Sequence, residues 1–202
     1  MSIELRTGAA SDASAIHALI SGNLDAGHLL PRSFDDVESH AHRFVVAVSD
    51  GAVIGCGELA PLSSDVAEVR SLVVDEARRG QHAGMSLVTA LADRARELGF
   101  VTLCAFTHQP SHFIRLGFSI VPHVWVPEKI AHDCVACSQF RQCGQYAVSL
   151  PLRAGAWLRL EQAQPPRAAA PPRTSVERLR LIPLTPCPDL EALDPDAERV
   201  PA

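Results

Sequence analysis

The chain has 202 residues, 47% of them hydrophobic and 20% charged, and a formal net charge of −5. That length fits one domain plus an appendage, and the acidic balance argues against general nucleic-acid binding, which needs a basic footprint. No run approaches the roughly 20 apolar residues that cross a bilayer, and Met1–Arg6 lacks the apolar core of a signal peptide. A cytoplasmic protein with no membrane partner is therefore expected, with Cys56, Cys104, Cys134, Cys137, Cys143 and Cys187 reduced.

Residues 2–6 alternate as a short strand, and Ser11-Asp12 offers an N-cap to a helix whose apolar stripe is Ile16, Leu19 and Ile20. After a loop containing Leu29-Leu30-Pro31-Arg32, a helix is expected from about Phe34 to His42. Phe44–Val48 reads as a strand, Ser49-Asp50-Gly51 as a hairpin turn, and Ala52–Ala60 and Glu68–Val74 as two further strands of an antiparallel meander. From Gly84 the apolar residues Leu87, Val88, Leu91, Ala92, Ala95 and Leu98 keep a 3.6-residue period that Gly99 closes. Val101–Phe106 is a buried strand, Ser111–Leu116 a short helix ended by Gly117, and Phe118–Val121 and Tyr146–Leu150 the last strands. Beyond Leu152 the pattern gives way to Pro, Ala and Arg without a period, so 1–152 is read as the folded domain and 153–202 as a disordered tail, with Trp157 and Leu158–Leu160 able to dock as one turn or strand.

The informative junction is the loop Asp75–Gly84 between strand Val69–Val74 and the long helix. A loop that enters a helix N-terminus offers unpaired amides and the positive end of the helix dipole, a cradle for a pyrophosphate, and Arg78 and Arg79 add charge. A glycine-containing connection is the competing reading. The order of elements around this loop, ending in Gly117-Phe118, resembles the GNAT acetyltransferase superfamily. There the loop reads Arg/Gln-x-x-Gly-x-Gly and binds the pyrophosphate of acetyl-CoA. Arg79-x-x-His82-x-Gly84 fits that pattern except that His82 stands at the first glycine. The fold implied is α/β (α+β), a mixed and mostly antiparallel sheet flanked by helices. Val53–Leu59, Ser64-Asp65-x-x-Glu68–Val74, Leu29–Arg32, Phe106-Thr107, Phe113-x-x-x-Gly117-Phe118 and Val126–Ile130 running into Asp133-Cys134-x-x-Cys137 together resemble the acetyltransferase domain of N-acetylglutamate synthases, in a short form without the amino-acid-kinase domain.

The resemblance implies acetyl transfer from acetyl-CoA to the α-amine of L-glutamate in one ternary complex, the first step of arginine biosynthesis. Glu68 is the implied general base and Thr107 the residue that orients substrate or assists the departing sulfur. Phe113 stands where many members carry a tyrosine acid; His108 and His112 are substitutes for it or surface residues. Leu72, Val73 and Val74 are implied to hold the oxyanion through their amides, and Arg79, Gly80, Gln81, His82, Ala83 and Gly84 the pyrophosphate. Arg32, Arg70 and Lys129, the one lysine among 18 basic residues, are the implied anchors of an acidic acceptor. His132, Cys134, Cys137 and Cys143 have the ligand types of a zinc site, although a zinc knuckle presents two spaced pairs; buried thiols are the alternative. Cys56 and Cys104 read as core packing. Open alternatives are an acetyltransferase for another amino acid or small amine, and a non-catalytic acyl-CoA- or zinc-binding module. A homodimer also stays open.

Overall fold

The computed structural model describes residues 3–24, 29–80, 82–137 and 139–154. The tail expected over 153–202 therefore falls, from 155 on, outside the described residues, as do Trp157 and Cys187.

Seven strands form one sheet in the order β1-β2-β3-β4-β5-β7-β6. They are β1 (Glu4–Thr7), β2 (Phe44–Ser49), β3 (Ala52–Pro61), β4 (Val66–Val74), β5 (Thr102–Thr107), β6 (Ser119–Val121) and β7 (Tyr146–Pro151). The helices are α1 (Ala13–Ser21), α2 (Phe34–Ser39), α3 (Ala83–Glu97) and the one-turn α4 (Ser111–Ile114) and α5 (Pro127–Lys129). All strand pairs are antiparallel except β4–β5. The mixed, mostly antiparallel sheet flanked by helices is the architecture expected.

The meander β2-β3-β4 turns first at Asp50 and Gly51, both at positive φ (52° and 78°). That turn matches the right-handed twist of the flanking strands. Between β3 and β4 the register jumps from Cys56↔Val73 to Glu58↔Arg70, with Ser71 at φ 47° inside the bulge. Gly57 makes room for it: a Cβ there would stand 2.9 Å from Leu91 Cδ1 and 3.2 Å from Leu72 Cδ1.

The periodic face of α3 buries Leu87, Val88, Leu91, Ala92 and Ala95 against Val45, Leu59, Val69 and Leu103 on one side of the sheet. Each fully buried leucine contributes about 1.5–3 kcal/mol. On the other side α1 and α2 bring Ile16, Ile20 and Val37 onto Phe44, Val46, Cys56 and Val73. Burial pushes the Cys56 thiol up to about 12 and the Cys104 thiol well above its ordinary value, so both pack as small apolar groups.

The start of α1 departs from expectation. A 3₁₀ turn over Ala10–Asp12 precedes it, and the Asp12 carboxylate caps no amide of the helix. It accepts instead from the two Arg6 guanidinium nitrogens at 2.6 and 2.8 Å and from the Ala9 amide at 2.8 Å. Arg6 and the Ala9 amide, both ahead of the helix, thus take up the two oxygens between them. The second helix ends at Ser39 and hands over to a 3₁₀ turn at Ala41–Arg43. Among the described residues no helix is long and apolar enough to cross a membrane.

Candidate active site

β4 and β5 stay paired only from Val66↔Thr102 to Val69↔Ala105, yet β4 runs on to Val74 and β5 to Thr107. Past Val69 the strands part, and the main chain of Arg70–Val74 lines the opening. Leu72, Val73 and Val74 lie on this stretch. The loop after β4 makes a 3₁₀ turn at Glu76–Arg78, capped by the Asp75 carboxylate on the Ala77 amide, and then reaches α3. The first intrahelical bond runs from Ser86 N–H to the His82 carbonyl at 3.0 Å. The amides of Ala83, Gly84 and Met85 thus precede the helical ladder, at its positive end.

Among the described residues of this loop, Gly80 at φ 88° and His82 at φ 61° turn the chain through the left-handed region. His82 does what the missing glycine would do without cost, at about 1–2 kcal/mol of backbone strain. A Cβ at Gly84, by contrast, would stand 3.8 Å from Val74 Cγ2, an ordinary contact. Replacing His82 by Gly is therefore expected to raise Tm by one or two degrees, after the extra entropy of the unfolded chain is subtracted. Thermal unfolding of the two proteins side by side checks this. Gln81 lies outside the described residues. The Arg79 guanidinium donates to Asn23 Oδ1 at 2.8 Å, tying the loop to the end of α1, and Arg78 Nη2 stands 3.9 Å from the Asp50 carboxylate.

The charged residues gather on the α1/α2 side of β3 and β4. Glu68 is buried at 2% exposure and receives Arg70 Nε at 2.5 Å and Lys129 Nζ at 2.7 and 2.9 Å on its two oxygens. Arg70, two residues along the same strand, also donates through Nη2 to Asp133, which Lys129 Nζ meets at 2.8 Å. α5 and the π-type turn Ile130–Cys134 carry Lys129 and Asp133 to this point, and the ammonium lies 5.3 Å from the centre of the Phe106 ring. Beside them, Arg32 Nη1 donates to the buried Glu58 at 2.7 Å and reaches Ser71 Oγ at 3.4 Å, while its Nε meets Asp36 at 2.5 Å. Glu58 sits opposite Arg70 in the β3–β4 register, so the two groups of charges adjoin.

Burial alone would lower the Arg70 and Arg32 guanidinium pKa values. The charge and hydrogen bond of Glu68, with the charges of Asp133 and Glu58, reverse this for Arg70, and the hydrogen bonds and charges of Glu58 and Asp36 do so for Arg32, leaving both raised. For Asp133, burial raises the pKa but the bonds from Lys129 and His132 and the charges of Lys129 and Arg70 hold it below its ordinary value. Such a set of paired acidic and basic groups, held on strands and short turns, can orient a zwitterionic ligand and place a carboxylate next to its amine.

Thr107 closes β5 opposite Tyr146, and its hydroxyl accepts from the Gln109 amide at 3.0 Å. It ends β5 beside the opening and is not joined to the charged network by the hydrogen bonds among the described residues. Phe113 is buried against Phe118, and His108 and His112 are exposed. His123, not foreseen, stacks 5.3 Å from Phe106 and bonds the Gln145 carbonyl.

The structure gives the cysteine cluster no support as a metal site. Cys134 and Cys137 are half-buried, Cys143 is exposed, and His132 is engaged with Asp133 at 2.9 Å. Among the described residues no group of three or more His, Cys, Asp or Glu side chains could hold a metal ion. The spacing put ligand types close in sequence, but the π-type turn aims its polar side chains at Arg70 and Lys129 and leaves the thiols unassembled. Their partial exposure equally departs from the buried-thiol alternative.

Glu58 and Asp36 were not singled out in the sequence. Glu58 carried a usable signal, since a carboxylate inside a strand with apolar neighbours is expected to be buried and paired. Asp36 carried none, being one of several acidic residues in a short helix.

A sheet opened between two parallel strands, with a helix N-terminus at the mouth, defines the class. The description "acetyltransferase (GNAT) family" matches residues 15–118, and the chain belongs to that family, its enzyme class being acetyl-CoA-dependent N-acetyltransferase. The chain is 32% identical over 144 residues to an uncharacterised N-acetyltransferase of Chlorobaculum tepidum, covering 71% of this chain and 93% of that protein. It is 34% identical over 127 residues to the amino-acid acetyltransferase of Shewanella oneidensis, covering 62% of this chain and 28% of that protein. The chain thus spans little more than a quarter of that longer relative. Among solved structures, N-acetylglutamate synthase from Neisseria gonorrhoeae, complexed with coenzyme A and N-acetyl-glutamate, has the same fold: TM-score 0.67 at 24% identity, over 76% of this chain and 36% of that one.

Proposed function

We propose that the protein moves the acetyl group of acetyl-CoA to the α-amine of L-glutamate, the entry reaction of arginine biosynthesis. The observation that carries this reading is the convergence of Arg32, Arg70 and Lys129 on one side of β3 and β4, all half-buried. Three cations so close together suit an acceptor with two carboxylates. Likeness to amino-acid acetyltransferases supports an amino acid rather than a protein or polyamine acceptor.

In this reading the amides of Leu72–Val74 and of residues 79–84 hold the thioester carbonyl and the pyrophosphate, and the parted strands receive the arm between them. Glu68 takes the proton of the acceptor ammonium, directly or through one water. The amine nitrogen then bonds the carbonyl carbon, the C–S bond breaks, and the CoA thiolate takes up a proton. Holding amine and thioester in one site supplies much of the rate. Thr107 orients the reacting group from the β5 side.

A coupled CoA-release assay with a panel of amino acids tests this. Glutamate is expected to outrun glutamine by about 10²-fold or more in kcat/KM, because the neutral amide leaves a cation without its partner. Equal rates for the two would remove the acidic acceptor, and CoA release with neither would remove the reading as a whole.

A further inference from the structure

The charged network has a repeating construction. Each cationic centre touches one inner carboxylate, fixed on a strand, and one outer carboxylate, carried on an element outside the sheet. Arg32 lies between inner Glu58 and outer Asp36; Arg70 and Lys129 lie between inner Glu68 and outer Asp133. The inner side chains are 2–3% exposed, whereas Asp36 is 36% and Asp133 30% exposed. Each outer aspartate also has a histidine on its other side: His40 Nδ1 is 3.1 Å from Asp36 Oδ1, and His132 Nδ1 is 2.9 Å from Asp133 Oδ1.

We infer that Asp36 and Asp133 occupy the positions of the two carboxylates of the acceptor, and that a dicarboxylate binds by displacing them onto His40 and His132. The inference rests on the acidic-acceptor reading and adds to it how the site selects. Arg32, Arg70 and Lys129 with Glu58 and Glu68 leave one net positive charge; with both aspartates added the set is net negative. An incoming anion is therefore attracted only as an outer aspartate leaves. The exchange keeps the hydrogen bonds on the cations, carboxylate for carboxylate, so its cost is small. Asp36 and Asp133 are already about one-third in water, and each has a neighbour that can keep it. Glu58 and Glu68 cannot follow, since their strands are paired on both sides and their removal would strand buried cations. A ligand with one carboxylate displaces one aspartate and leaves the other in place. Selection for two carboxylates is thus built from the enzyme's own acidic side chains as well as from its cations.

The probe is glutarate, a dicarboxylate without an amine, titrated calorimetrically into the full chain and its Asp36→Asn and Asp133→Asn variants. Each variant is expected to bind glutarate roughly fivefold tighter or more, because the internal competitor is gone. An unchanged or weaker affinity in either variant overturns the inference. A crystal structure of the wild-type protein with glutarate separates displacement from a field effect at a distance. The expected result is Asp36 and Asp133 on the histidines, with glutarate oxygens on Arg32 and Lys129. Aspartates still seated on those cations would sink the proposal even if the affinities rose. Glutamate turnover in the same preparation reads the acceptor assignment separately: tightened glutarate binding without glutamate acetylation would leave displacement standing and the acceptor wrong.

Discussion

Glu68→Gln is expected to lower kcat with glutamate by about 10²–10⁴-fold at neutral pH, with acetyl-CoA affinity unchanged. The carboxylate lies among Arg70, Lys129 and Asp133, away from the main chain of β4 and the head of α3 that the proposed function assigns to CoA. Gln keeps the shape of Glu68 but cannot accept a proton, so the reaction then waits for acceptor whose ammonium has already lost its proton to solvent. The deficit should accordingly narrow as pH rises, a signature that mere misfolding would not produce. Stability falls as well, because Arg70 and Lys129 lose a buried partner, a change that costs about 3–5 kcal/mol. Rates should thus be compared at a temperature where calorimetry shows both proteins folded. Wild-type kcat in the variant would take the base role from Glu68.

The second large effect is expected at Arg32. Its guanidinium presents Nε to Asp36 and Nη1 to Glu58, two edges of one fork. Arg32→Lys keeps the charge beside Glu58, so the buried carboxylate is not stranded, but a single ammonium cannot serve both directions. The KM for glutamate should rise roughly 10- to 100-fold, as for the loss of a charge-assisted hydrogen bond worth about 1.5–3 kcal/mol, with kcat and the KM for acetyl-CoA little changed. Steady-state kinetics with each substrate varied in turn makes the measurement. An unaltered glutamate KM would place Arg32 outside the acceptor site.

What the sequence reveals follows how locally each feature is encoded. The face of α3 is legible because Leu87, Val88, Leu91 and Ala95 repeat at the helical period, and the β2–β3 turn because Asp50-Gly51 is one of few dipeptides suited to two positive φ angles. The parallel pairing of β4 with β5 is not legible from alternation. It depends on α3 crossing the sheet and returning the chain in the same direction, and the parting of the strands beyond Val69 is a property of main chain with no side-chain mark. The charged network splits in the same way. Glu68 and Arg70 are two apart on one strand, so their shared face is readable, whereas Lys129 and Asp133 reach them only through a turn of π-type spacing that no periodicity of the sequence marks. That turn is also why the cysteines mislead: Cys134 and Cys137 follow Asp133, whose side chain is drawn to Arg70 and Lys129, and spacing alone does not say which way the turn faces.

Lys129 offers a practical handle. It is the one lysine in the sequence, and its ammonium is enclosed by Glu68, Asp133 and the Phe106 ring. A protein grown with nitrogen-15 lysine would therefore carry a single labelled side chain, seated between Glu68 and Asp133, where the proposed function puts the acceptor. Its NMR resonance would report occupancy of that spot by each ligand, one at a time, without any mutation.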